Sequence, residues 1–170
     1  SKGATGSKGT TGAKGTTGSK GATGSKGATG AKGATGAAGT AGSASGSVVA
    51  SENTISTTYA DLTTVGPSAT VTIPASGNAL VIVTASATNN TSAASALMGF
   101  AVSGASTQAA SDAKAFIVKS GGNQAILVQG SATYYVTGLA AGSTTFTAKY
   151  RVSAGTGTFA NRQIIVVPLP

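Results

Sequence analysis

Glycine occupies every third position of the first forty-two residues, without a miss: Gly3, Gly6, Gly9, Gly12, Gly15, Gly18, Gly21, Gly24, Gly27, Gly30, Gly33, Gly36, Gly39 and Gly42. Three chains wound together in polyproline II conformation each bring one residue in three onto a shared axis, where only a hydrogen atom fits as a side chain. Neither the α-helix nor the β-strand has period three. The repeat therefore predicts a collagen-like triple-helical stalk over residues 1–42 and makes each chain one third of a homotrimer.

The triplets belong to a six-residue unit, with variants SKGATG, SKGTTG, AKGTTG and AKGATG filling residues 1–36 before the pattern decays. All four prolines (Pro67, Pro74, Pro168 and Pro170) lie outside it. Without proline to preset φ, ordering this backbone costs the full conformational entropy, roughly 1–2 kcal/mol per residue. Lys2, Lys8, Lys14, Lys20, Lys26 and Lys32 add repulsion, because the first acid of the chain is Glu52. A stalk of this kind is weak by itself and calls for a second element that clamps the three chains. At about 3.1 Å per residue it would span roughly 130 Å.

The remainder divides into a linker or neck at 43–56 and a head at 57–170. The head is written in period two. In STTFTAKYRVS, Phe146, Ala148, Tyr150 and Val152 alternate with Thr145, Thr147, Lys149 and Arg151, the mark of a half-buried strand. ATVTIP, NALVIVTASAT, LMGFAVSG, AKAFIVK, QAILVQG, SATYYVTGL and RQIIVVPL read likewise, separated by glycine- and proline-containing turns. This pattern predicts an all-β antiparallel sandwich or jelly roll. Two segments, QAILVQG and RQIIVVPL, are apolar at consecutive positions. Each is expected either to lie in the middle of one domain or to turn one face toward neighbouring protomers. On the second reading Ile126, Val128, Ile164 and Val166 are the candidate trimer-packing residues.

Chemistry is sparse. The chain has no cysteine and no histidine, which removes thiolate nucleophiles, disulfides and the commonest general base and metal ligand. Glu52, Asp61 and Asp112 are scattered, and no catalytic, cofactor-binding or metal-binding residues are assigned; the expectation is a protein that is not an enzyme. Ser111–Lys114 matches the S-x-x-K spelling of serine acylases without that motif's partner motifs, and is read as coincidence. The lysine row admits polyanion binding through counterion release, but residues 1–50 offer no aromatic ring for stacking on bases. The row is read as solubilising charge, with no nucleic-acid partner. The apolar run Ala79–Val83 is too short to span a bilayer, so no membrane partner is assigned. The polar, turn-rich segments 87–96, 103–113 and 155–161 are candidate ligand loops, with Asn89, Asn90, Thr91 and Asn161 as contact residues.

Proline-poor, threonine-rich Gly-X-Y stalks resemble those of bacterial and phage collagen-like proteins, including spore-surface fibres that end in trimeric jelly-roll heads. The segments YADLTTVGPSATVTIPASGNALVIVTASATNN, FAVSGASTQAASD, GSATYYVTGLAAGSTTFTAKYRV and FANRQIIVVPLP are similar to the terminal domain of collagen-like tail fibre and minor tail proteins in phages and prophages of actinobacteria. That resemblance implies a trimeric β head at the tip of a virion tail fibre, displayed for attachment to host cell-surface glycan. It supplies no functional residues to carry over. Because the sequence opens inside the repeat, a preceding region is expected to join the fibre to other virion tail proteins. The alternative is a structural filament or adhesin on a bacterial cell or spore surface.

Overall fold

The computed structural model describes residues 2–31, 42–122 and 125–170. Gly33, Gly36, Gly39 and Lys32 lie outside the described residues. The chain separates into two compact units, 1–36 and 37–170. In the first, residues 2–31 form neither helix nor sheet, and every side chain is exposed.

The second unit is all β apart from one short 3₁₀ turn, Asp112–Lys114. Its strands, among the described residues, are β1 (Ala44–Val48), β2 (Glu52–Thr54), β3 (Ser68–Ile73), β4 (Asn78–Asn89), β5 (Ser95–Gly104), β6 (Phe116–Lys119), β7 (Val128–Val136), β8 (Gly142–Val152) and β9 (Gly157–Leu169). One sheet runs β1-β9-β4-β7, with β2 also paired to β9; the other runs β3-β8-β5-β6. The pairings are antiparallel and nested: β1 with β9, β3 with β8, β4 with β7 and β5 with β6. A long hairpin rolled over on itself gives this order, which is the jelly roll expected from the alternating sequence.

Period two explains the core. Along β8 the buried positions are Thr144, Phe146, Ala148, Tyr150 and Val152, and along β4 they include Ala79, Val81, Val83 and Ala85. Val81 stands opposite Val166, and Val83 opposite Ile164. Phe100 and Phe146 pack with ring centroids 5.9 Å apart, and Tyr150 meets Phe159 at 5.0 Å. Each such side chain contributes about 1.5–3 kcal/mol by leaving water.

The structure revises three expectations. Residues 43–56, read as a neck, contribute β1 and β2 to the β9 sheet. The described part of QAILVQG (Gln124 lies outside the described residues) is not a separate strand: β7 begins at Val128 and continues through SATYYV, while Ile126 and Leu127 precede it and are exposed. Ile164 and Val166 do not face a neighbour, being fully buried in the protomer's own core. Their orientation follows from a bulge. Thr84 pairs with Gln163 and Ser86 with Ala160, so Ala85 alone faces both Asn161 and Arg162. Asn161 takes φ 49° there, a left-handed conformation that asparagine tolerates better than most residues. The extra residue shifts the parity of β9, directing Arg162, Ile164 and Val166 inward and Ile165 and Val167 outward.

Gly46 lies one position off the triplet register and has a different reason to be glycine. A Cβ there would stand 2.1 Å from the backbone oxygen of Ser68, where β1 crosses the start of β3. Gly46→Ala is expected to lift β1 from the sandwich. Hydrogen exchange of the amides of residues 44–48 should accelerate while those of β4 and β8 keep their protection; unchanged exchange in β1 would refute the close approach as the cause.

Candidate functional site

The repeat itself is the first functional element. In the described stalk, a Cβ built on any glycine from Gly3 to Gly30, or on Gly42, would meet nothing within 4 Å in its own chain. None of these glycines has a positive φ. The usual intrachain demands for glycine, a left-handed backbone or a close approach, are thus not what the single chain imposes. Lys2, Lys8, Lys14, Lys20 and Lys26 are all exposed along it.

The candidate ligand residues of the head separate. Asn89 is fully buried. Its Nδ2 donates to the carbonyls of Ser95 (3.2 Å) and Ala154 (2.9 Å), and its Oδ1 accepts from the Thr91 amide at 2.9 Å. It is a structural pin, not a contact residue, because both ends of its amide are already committed. Asn90 remains exposed and accepts from the Thr156 amide at 2.9 Å. A Cβ on Gly155, where φ is 69°, would fall 1.9 Å from the hydroxyl oxygen of Thr91. The turns after β4 and after β8 therefore interlock, with Asn90 and Thr91 on the rigid corner. Asn161 is exposed at the bulge, well along β9 from that corner, and most of the segment 155–161 is strand. Asn89→Ala removes three hydrogen bonds and leaves a void at a fully buried position. It is expected to cost about 3 kcal/mol, read as a lower urea midpoint with an unchanged slope.

The second sheet is covered by its own chain. The Tyr59 ring lies over Gly99, where a Cβ would come within 3.0 Å of the ring. Its hydroxyl donates to Asp112 Oδ1 at 3.0 Å. Arg151 Nε donates to the same oxygen at 2.8 Å, and Nη2 is ion-paired with Oδ2. The Arg151 guanidinium holds the Asp112 carboxyl below the usual carboxylate range. Burial, reinforced by Asp112, pushes the Tyr59 phenol up. Lys149 and Asp61 pair at 2.7 Å on the same face. Asp112 and Lys114, the end of the S-x-x-K spelling, are thus occupied: Lys114 donates to Gln108 Oε1 at 2.7 Å.

The first sheet has a bare outer face. Leu80 lies between Tyr135 on β7 and Val167 on β9, and Ile82 between Thr133 and Ile165. These apolar side chains are partly exposed, and Tyr135 is 61% exposed. Sequence reasoning chose the wrong parity of this strand, since Ile165 and Val167 face outward instead of Ile164 and Val166. Only the left-handed Asn161 carried a signal for the bulge.

Inside the sandwich sits Arg162, with no exposed surface. Its Nη1 is 3.2 Å from Glu52 Oε2, its Nη2 donates to the Ala50 carbonyl at 3.2 Å, and its guanidinium stands 5.4 Å from the centre of the Tyr150 ring. Glu52 also accepts from the Thr64 hydroxyl (2.5 Å) and amide (3.1 Å). The Thr64 hydroxyl, with help from the amide and Arg162, holds the Glu52 carboxyl below its ordinary value. The cluster ties β2, the 60–66 segment and β9 together. Among the described residues there is no cavity, no metal-type cluster of histidine, cysteine or acids, and no helix long and apolar enough to cross a membrane.

Residues 1–48 match the collagen triple helix repeat (20 copies). The match runs past the last in-register glycine, Gly42, into β1. No curated protein matches the sequence. Among solved structures, the chain is similar to an Eiger TNF from S. frugiperda, at 14% identity and a TM-score of 0.45, over 77% of this chain and 94% of that one. The collagen repeat match and the nine antiparallel strands among the described residues together make the protein a collagen repeat region followed by an all-β head.

Proposed function

We propose that the protein is a fibre component of a phage tail, in which three chains share a collagen-type stalk and display three β heads for attachment to the host cell surface. One observation carries the three-chain part: glycines in strict triplet register, which nothing in their own chain requires among the described residues. A shared axis supplies the missing reason. The attachment part rests on the resemblance of the head segments to actinobacterial phage tail proteins and on the physics of display. Three weak sites on one fibre, multiplied over several fibres, give firm binding from modest affinity. The rigid corner at Asn90 and Thr91 is the surface offered to host glycan.

Two measurements test this reading. Gold-labelled antibody against the head should decorate virion tails in electron micrographs; labelling confined to cell or spore surfaces would replace the phage assignment with the cellular filament. Fluorescent full-length protein should bind whole host cells and be displaced by their purified wall polymer. Binding that survives Asn90→Ala together with Thr91→Ala would move the contact surface elsewhere.

A further inference from the structure

The head exposes apolar side chains on the outer face of one sheet and along one of that sheet's borders. The sheet order places β7 at one border and β1 and β2 at the other, with β9 and β4 between. Across the outer face, from β9 through β4 to β7, runs the row of Val167, Leu80 and the exposed Tyr135. At the other border, Val49 and Ile55 flank β2 and are each 75% exposed. Val65, 64% exposed, follows Thr64, whose amide and hydroxyl are bonded to Glu52 of β2. The other sheet shows no comparable bare face among the described residues, since Tyr59, Asp112 and Arg151 strap the chain across it.

This inference rests on the three-chain reading of the stalk, which supplies the occupant: two further copies of the same head, tethered close by. Symmetry then fixes how they meet. A two-fold contact buries a patch against itself, whereas a closed ring of three is heterologous, one patch of each copy meeting a different patch of the next. A chain built for a three-fold ring therefore needs two distinct patches on its surface, which is what the outer face and the β2 border present. We propose that the β2 border of one head, centred on Val49, Ile55 and Val65, packs against the outer face around Leu80, Tyr135 and Val167 of the next, closing a ring of three. The ring is the clamp that a proline-free, lysine-bearing stalk requires, because linking three strands raises their effective concentration for one another.

The chain has no cysteine, so introduced thiols report without background. Val65→Cys and Tyr135→Cys are made singly and together in the full-length chain, and treated with a short bismaleimide. Both positions are exposed, and an unchanged head melt confirms folding. The double variant should give covalent species up to three chains on a denaturing gel, while each single variant stays at one chain. Dimers from Tyr135→Cys alone would show a self-facing contact and overturn the proposal, as would an uncrosslinked double variant whose native mass is three chains. A native mass of one chain would instead sink the three-chain reading itself, so the two failures are distinguishable by sedimentation before crosslinking.

Discussion

Replacing Glu52 with glutamine is expected to lower the melting midpoint of the head by about 10 °C, and replacing Arg162 with methionine by clearly less. The asymmetry follows from where each charge sits. Arg162 is wholly inside the sandwich, and its Nε and Nη1 make no hydrogen bond. Its compensation is the nearby Glu52 carboxylate, one bond to the Ala50 carbonyl and the Tyr150 ring. Glutamine keeps the shape and the Thr64 contacts but leaves a buried cation with no counter-charge, the costly way to break a buried pair. Removing the arginine leaves a carboxylate that is 13% exposed and still bonded to Thr64. The double variant Glu52→Gln, Arg162→Met should lie near the wild type, since apolar packing often replaces a buried pair at little cost.

Acid should reproduce the glutamine variant. The Glu52 carboxyl is held below its ordinary value in the folded head, so as pH falls the unfolded chain takes up this proton first. The contribution to stability is complete above the unfolded value, about 4.3, and is lost as pH falls through the lower folded value. Asp112, depressed by Arg151, acts in the same direction. Melts between pH 7 and pH 2 should show stability falling only below about pH 4, with a shallower fall in Glu52→Gln. An equal acid limb in that variant would assign the loss to other groups.

Strands and stalk were legible in the sequence for a simple reason: periods two and three are properties of covalent geometry and show in any single chain. Side-chain parity was less so. The alternation of β8 survives intact from Thr144 to Val152, but in β9 a single bulge at Asn161 reverses which residues face inward, and nothing apolar marks it. That is why Ile164 and Val166 read as interface residues, although Ile165 and Val167 hold the outer face. The same blindness hid Asn89. A polar residue in a polar stretch reads as a loop, and only the positions of the Ser95 and Ala154 carbonyls show that its amide is spent within the fold. Arg162 carried no sequence signal, because its partner is 110 positions away, beyond any local pattern.

The largest effect is expected in the stalk. Gly18→Val should abolish its cooperative melting, followed as the polyproline-type circular dichroism band, while the separate head transition persists. Within one chain this substitution has no steric cause to matter: a Cβ at Gly18 meets nothing within 4 Å, and φ there is not positive. A single-chain account therefore predicts silence, and a shared axis predicts collapse, because one residue in three has no room for even a methyl group. Phase supplies the control. Thr17→Val adds the same side chain one step away, at a position that points outward in a triple helix, and should leave the transition nearly in place. Gly46, off register and closed by Ser68, should show the opposite assignment: its alanine variant perturbs the head and spares the stalk transition. If Gly18→Val and Thr17→Val melt alike, the triplet has no axis to serve, and the three-chain fibre has to be given up.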